Sequence, residues 1–320
     1  MTSVRKTRYS NYTVELIDCG SVDESVAFVR KHFRSVRIIQ CRNLGFGEAY
    51  NEAIRSIQAK YIAVLNNDTE VLNPDWLMGL VAKIDDNHRL AAVACKMVEM
   101  SDPKILDSVG VMGIPFWRGF VDIGKSEPDI GQFGPSFEPF AFCGGAALIR
   151  KSAFMETGGF DSSLFLYVED VELSWRLRLL GWRVGFCPEA IVAHFGGGTV
   201  GSELTPFKLY HSHKNLLRTI IKNCGSSLRR AICSYLVFST LLVAGFVVLE
   251  PSKAIAVLKA IAWNLRELRA TLRLRGSIQC KRVTGESEIL RLMYPPLKRF
   301  QPPDHARVRT ILDTIFARVK

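Results

Sequence analysis

Three short polar clusters in this 320-residue chain carry side chains suited to chemistry. The first is Asn66-Asn67-Asp68, which ends the apolar run Tyr61-Ile62-Ala63-Val64-Leu65. Such a run reads as a strand buried on both faces. Amides and a carboxylate delivered to its carboxyl end can hold a hard cation and, through it, a phosphate. The second cluster is Glu169-Asp170, which follows Phe165-Leu166-Tyr167-Val168 and opens a helix. A carboxylate there can take a proton from a hydroxyl. The bland account is that acidic groups simply suit a first helical turn, with Glu172 and Arg176 pairing four residues apart on the solvent face. The third cluster is His194, at the end of Ala190-Ile191-Val192-Ala193 and ahead of Gly196-Gly197-Gly198-Thr199. A histidine at a strand end is most often structural. Beside Asp68 it would complete a set of O and N ligands that Mn²⁺ accepts, with phosphate oxygens in the remaining positions. Gly144-Gly145, before another strand, would let backbone approach a ligand closely, although a tight turn explains them equally well.

The elements that must position these groups alternate. Val14–Ile17 reads as a short strand ending at Asp18, Ser25–Phe33 as a helix and Val36–Ile39 as a strand. The loop Arg42-Asn43-Leu44-Gly45-Phe46-Gly47 feeds a helix through Ile57. After Tyr61–Leu65, Pro74–Ile84 reads as a helix and Leu90–Cys95 as a strand. Strands separated by helices of this length imply α/β architecture with a mainly parallel sheet. Residues 101–140, rich in Gly, Pro and Phe, read as a long irregular excursion that shapes a binding site.

Charge divides the chain unequally. The net charge is +11, yet residues 201–320 hold 21 basic and 7 acidic groups, leaving residues 1–200 at −3. The partner of that basic third is nucleic acid or an anionic membrane. Hydrophobicity favours the membrane, because Ile232–Leu249 contains no charge. Such a helix is about 27 Å long, the lower edge of what spans a bilayer. A single crossing would leave 15 basic and 6 acidic groups of residues 250–320 on the far side, against the positive-inside tendency. A re-entrant or interfacial helix is the more economical reading. Lys253–Arg275 supports it by mixing Ile255, Leu258 and Leu265 with Lys259, Arg266, Arg269 and Arg273. A core helix packed on the first domain is the alternative. Eight cysteines without a CxxC pair suit a reducing cytoplasm, and no secretory signal is evident.

Taken in order, Asp18-Cys19-Gly20-Ser21, Asn43-Leu44-Gly45-Phe46-Gly47 with Asn51, Leu65-Asn66-Asn67-Asp68-Thr69, Gly158-Gly159-Phe160-Asp161, Tyr167–Leu173 with Arg176, and His194 with its glycines resemble family 2 glycosyltransferases. The branch they are most similar to is that of the bacterial rhamnosyltransferases. The resemblance covers nearly the whole chain and implies a GT-A fold in residues 1–205, followed by a basic, hydrophobic helical region in 206–320. It implies that Asp18 reads the nucleotide base, and that Asn43, Asn66, Asn67, Gly144 and Gly145 contact the donor. Asn66 stands where the DXD motif has its first aspartate. Asp68 is therefore the main carboxylate for a divalent cation, Mn²⁺ or Mg²⁺, and His194 joins it. Asp170 is the expected general base, with Glu169 holding the acceptor or exchanging roles with it. The implied donor is a nucleotide sugar, dTDP-rhamnose favoured. The implied acceptor is a lipid-linked glycan at the cytoplasmic face of the inner membrane, with the chain peripheral or monotopic there. Family members open with an apolar strand and helix ahead of the segment ending at Asp18, whereas Met1–Arg8 is polar and basic. A sheet without that strand is expected to leave edges unpaired. A non-catalytic relative that binds a membrane or a partner enzyme is the rival expectation.

Overall fold

The computed structural model describes residues 1–196 and 203–295. Gly197, Gly198, Thr199 and the basic segment 296–320 lie outside the described residues. The order begins β1 (Glu15–Asp18), α1 (Ser25–His32), β2 (Arg37–Gln40), α2 (Phe46–Ser56), β3 (Tyr61–Leu65), β4 (Thr69–Val71) and α3 (Trp76–Asp86). There follow β5 (Leu90–Glu99), β6 (Leu106–Ser108), β7 (Val111–Ile114) and β8 (Gly119–Asp122). Next come β9 (Ala146–Arg150), α4 (Lys151–Thr157), α5 (Glu169–Leu179) and β10 (Arg183–His194). Five helices close the described chain: α6 (Pro206–Asn223), α7 (Leu228–Leu249), α8 (Pro251–Arg266), α9 (Leu268–Gln279) and α10 (Glu286–Met293).

The class is α/β, but the main sheet corrects the expectation of mainly parallel pairing. Its order is β3-β9-β5-β10-β4, with β6 beside β5. Within it only β5 and β10 run parallel; β3–β9, β5–β9, β5–β6 and β4–β10 are antiparallel. The reason lies in the returns. Residues 101–140 are not an irregular excursion; they contain β6 and the hairpin β7–β8, and β9 then re-enters the sheet from the opposite end. The strand β3 also differs from expectation. It is an edge strand, so Ile62 and Val64 are buried while Ala63 between them is exposed. Separately, β1 and β2 pair in parallel as a two-stranded sheet that is not hydrogen-bonded to the larger one. Among the described residues neither β1 nor β3 has a strand on its second edge.

Packing joins the C-terminal helices to the rest through a shared core. Apolar side chains of one sheet face meet α2, α4 and α5, and those of the other face meet α3. A further cluster joins Val111, Trp117, Phe140 and Trp175 to Leu216, Ile220, Tyr235 and Met293. Trp117 stacks on Trp175 at 5.8 Å between ring centroids. The long Lys253–Arg275 pattern is interrupted at Glu267, giving α8 and α9.

Candidate active site

Strand pairing creates the first end of the site. The register of β10 against β4 sets His194 opposite Thr69, and the Phe195 amide donates to the Asp68 carbonyl at 3.0 Å. Asp68 and His194 therefore meet, with Oδ1 of Asp68 3.5 Å from Nε2 of His194. On the other side of the ring, Nδ1 lies 2.7 Å from Oδ2 of Asp107. That hydrogen bond raises the histidine pKa, and Asp68 adds to the effect. A neutral imidazole that donates from Nδ1 to Asp107 presents its Nε2 lone pair toward Asp68. Burial would raise the pKa of Asp107, but its bonds to His194 and Lys125 hold it below the usual carboxylate range.

Backbone contacts connect this end to the second. The Asn66 amide donates to the Gly145 carbonyl at 2.9 Å, and the Gly144 amide donates to Oδ2 of Asp170 at 2.7 Å. Space is tight at both glycines. A Cβ on Gly145 would stand 2.6 Å from Cε of Met97, and one on Gly144 3.3 Å from Oδ2 of Asp170. Asp170 also accepts from the Val171 amide at 2.7 Å. Glu169 is buried, and its Oε2 has no hydrogen-bond partner. Burial, with the charge of Asp170 next to it, pushes the Glu169 pKa up to about 8, and burial raises Asp170 as well. Two carboxyls so placed favour sharing one negative charge. Asp122, at the end of β8, is raised to about 6 by burial and by the fields of Asp107 and Asp170. Asp68, His194, Asp107, Asp122, Asp170 and Glu169 thus line one continuous polar neighbourhood.

The segment before α5 is conformationally costly. Phe165, Tyr167 and Val168 have φ of 67, 72 and 70°, the left-handed region that β-branched valine disfavours most. Gly45 (φ 99°) lets α2 begin hard against this loop, where a Cβ would come 2.5 Å from the Phe165 backbone. The loop is held from α6. Nδ2 of Asn215 lies 2.9, 2.8 and 2.7 Å from the carbonyls of Leu164, Leu166 and Tyr167. Nζ of Lys214 donates to the carbonyls of Ser163 and Leu164. Below them, Arg218 and Lys222 both pair with Asp161, and Lys222 reaches Glu172 at 2.7 Å. The Glu172–Arg176 pair therefore does not face solvent as expected. Glu172 is fully buried, with Arg176 bound to it and to the carbonyls of Thr157 and Gly159. The correction has a physical cause: α6 supplies a cation to the face on which this pair sits.

Other expected site residues stand further out. Asp18 accepts from the Ser21 amide at 2.9 Å; hydrogen bonds from Ser21 keep its pKa low. It sits at the carboxyl end of β1, and no hydrogen bond or ion pair among the described residues joins it to Asp68 or Asp170. From α2, the Tyr50 hydroxyl donates to the Leu65 carbonyl at 3.5 Å. Asn43 and Asn67 are exposed. Asp107, Asp122, Lys125, Lys214, Asn215, Arg218 and Lys222 were not anticipated. The sequence offered one faint signal, an acidic residue ending each of two short strand-like runs near Gly110 and Gly124.

A divalent cation fits this donor set in part. Oδ1 of Asp68 is buried without a hydrogen-bond partner, and Nε2 of His194 is directed at it. Among the described residues no group of three His, Cys, Asp or Glu side chains is placed to enclose a metal. Two protein ligands leave positions for oxygens of a bound diphosphate.

Known proteins similar to the chain point to glycosyl transfer. Residues 1–158 match the family model for Glycosyl transferase family 2. The chain is 28% identical over 216 residues to N-acetylglucosaminyl-diphospho-decaprenol L-rhamnosyltransferase of Mycobacterium tuberculosis, covering 60% of this chain and 69% of that protein. It is 26% identical over 178 residues to the rhamnosyltransferase WbbL of Escherichia coli, covering 52% and 66%. It spans only 16% of the O-antigen biosynthesis protein RfbC of Myxococcus xanthus, at 25% identity over 209 residues and 63% of this chain. GalNAc-T7 with UDP, GalNAc and Mn²⁺ superposes with a TM-score of 0.56 at 19% identity, over 71% of this chain and 45% of that one. Staphylococcus aureus TarS 1–349 does so with 0.51 at 15%, over 91% and 83%. The fold is that of the GT-A class. Residues 1–158, just under half of the chain, match Glycosyl transferase family 2, and the rhamnosyltransferases it resembles are 26% and 28% identical to it.

Proposed function

We propose that this chain moves a sugar, rhamnose in first place, from a nucleoside-diphosphate donor to a hydroxyl of a lipid-linked glycan, inverting the anomeric centre. The observation that carries the reading is the bridge from Asp170 through Gly144-Gly145 to Asn66, two residues from Asp68 and its contact with His194. It supports a cation-and-diphosphate end lying beside a proton-accepting end. The rhamnosyl specificity of two relatives supports the donor, and the decaprenol-linked substrate in the name of one supports the acceptor.

Asn66, Asn67 and the Gly144-Gly145 turn would flank the donor diphosphate, and Asp18 its base. Mn²⁺ or Mg²⁺ held by Asp68 and Nε2 of His194 would supply positive charge to the departing diphosphate. Asp170 orients the acceptor hydroxyl and accepts its proton as the new C1–O bond forms and the C1–O bond to phosphate breaks. Removal of that proton is worth about 10²–10⁴-fold in such reactions. Glu169, with its pKa up to about 8, keeps its proton near neutrality and can donate a hydrogen bond to the acceptor. The Asp107–His194 bond keeps Nε2 facing Asp68.

An acceptor carried by lipid demands a membrane surface. α7 is long and apolar enough to cross a bilayer, with a mean hydropathy of 2.4, yet it packs Ala231, Tyr235, Ser239 and Phe246 against the protein. Its other face is apolar and open. That arrangement favours an in-plane helix on anionic lipid at the cytoplasmic face of the inner membrane. The test is transfer by the full chain from dTDP-rhamnose and from UDP- and GDP-sugars to N-acetylglucosaminyl-diphospho-polyprenol. Rhamnosyl transfer dependent on Mn²⁺ is the expected result. Transfer from another donor alone would replace the sugar, and absence of both transfer and donor hydrolysis would overturn the reading.

A further inference from the structure

A second apolar projection borders the open face of α7. Between β7 and β8 the tip Pro115-Phe116-Trp117-Arg118 leaves Phe116 73% exposed, with φ 63°. A phenylalanine held in left-handed backbone and turned out to water is unfavourable twice over. The tip nevertheless has firm support. The Ser234 hydroxyl of α7 donates to the Phe116 carbonyl at 2.5 Å, and Trp117 stacks on Trp175 of α5. Ser234 flanks the exposed stripe of α7, which runs through Cys233, Leu236, Val237, Leu241, Ala244 and Val248 without a charge. Around this stripe stand exposed cations. Arg229 and Arg230 begin α7, and the Arg118 guanidinium lies 5.9 Å from the Phe116 ring centroid.

We propose that the β7–β8 tip and the open face of α7 form one lipid-facing surface, in which Phe116 enters the interfacial layer and Arg118, Arg229 and Arg230 meet anionic headgroups. The inference rests on the reading of α7 as a lipid-contacting helix and adds to it a contact from the catalytic half. Charge selects the occupant. A second copy of the chain related by a two-fold axis would set these arginines near their own equivalents, whereas an anionic bilayer complements them. The consequence is positional. Phe116 is one residue from Trp117, and Trp117 rests on the helix that opens with Glu169-Asp170. A tip seated in the interface therefore fixes the height of the acceptor site above the membrane.

The test is flotation of the full chain with vesicles of phosphatidylethanolamine and phosphatidylglycerol, comparing wild type, Phe116→Glu and Val237→Glu. Melting temperature and nucleotide binding serve as checks on folding. The proposal expects Phe116→Glu to lower partitioning by about tenfold, with Val237→Glu at least as severe. It also expects Arg118→Gln to weaken binding to anionic vesicles and not to phosphatidylcholine alone. Loss in Val237→Glu with full binding by Phe116→Glu would overturn this proposal and leave the α7 reading standing. Full binding by both variants would overturn the two together. Should either glutamate disturb folding, Phe116→Trp gives an independent measure. Extra quenching by brominated lipid relative to wild type is expected, and none would contradict the surface. A dimer in solution dispersed by Val237→Glu would assign the face to self-association instead.

Discussion

The two ends of the polar cluster are built by different means. The Asp68–His194 end is made by sheet register: two strand termini pair, and their side chains meet with few additional braces. The Glu169–Asp170 end depends on a loop in unfavourable backbone conformations, secured by side chains of α6 some 50 residues further along. A register is inherited from the whole sheet and resists any single substitution. A braced loop concentrates its support in Lys214, Asn215, Arg218 and Lys222, so it can be loosened one group at a time. The contrast suits the proposed roles, because a diphosphate grip must hold still while an acceptor end must fit a large partner.

Substitutions can break or sharpen that contrast. The largest effect is expected from Lys222→Met, which leaves Asp161 and Glu172 buried without their shared cation. Asp161 keeps Arg218 and Glu172 keeps Arg176, so the buried network is weakened rather than unpaired, and chemical denaturation should show a loss approaching the ~3–5 kcal/mol of a broken buried pair. Next comes Asn215→Ala, which leaves the Leu166 and Tyr167 carbonyls without the Asn215 amide, while Leu164 keeps Lys214, at a cost of about 1–3 kcal/mol. Its signature is a fall in kcat with donor affinity preserved. Asp107→Asn should act at the other end, weakening Mn²⁺ affinity in the presence of a nucleoside diphosphate by about 10–100-fold with little change in melting temperature. Equal loss of donor affinity in Asn215→Ala and Asp107→Asn would erase the distinction between the ends.

A further expected effect is a pH slope. Glu169 has an ordinary pKa near 4.5 when unfolded and about 8 when folded. Between those values the native state holds a proton that the unfolded state has lost, so stability falls as pH rises across that window. The slope reaches at most about 1.4 kcal/mol per pH unit, and Asp170, also raised, adds in the same direction. Denaturation at pH 5 and pH 8 should show a smaller difference for Glu169→Gln than for wild type. An unchanged difference would remove Glu169 from this role.

How much was legible before folding follows the same division. Asn66-Asn67-Asp68 and His194 stand out because apolar strands end in polar groups, and adjacent strand ends are a general place for ligands. Asp107 did not, because only the antiparallel return of β6 onto β5 brings it beneath His194. The Glu172–Arg176 spacing is the same on an open face as on a buried one. Only α6 decides between them, and no local pattern in α5 shows it: Arg176, Arg178 and Glu172 are all buried despite their charge. Parallel pairing was over-expected for a related reason, since alternating strands and helices do not reveal that residues 101–140 reverse the chain.

Turnover and donor binding of Asp170→Asn, measured together, test the central claim most directly. A site with one end for the diphosphate and another for the proton predicts that transfer falls by about 10²–10⁴-fold while nucleotide-sugar affinity in Mn²⁺ stays at the wild-type value. Wild-type turnover in that variant, or loss of donor affinity matching the loss of transfer, would contradict it.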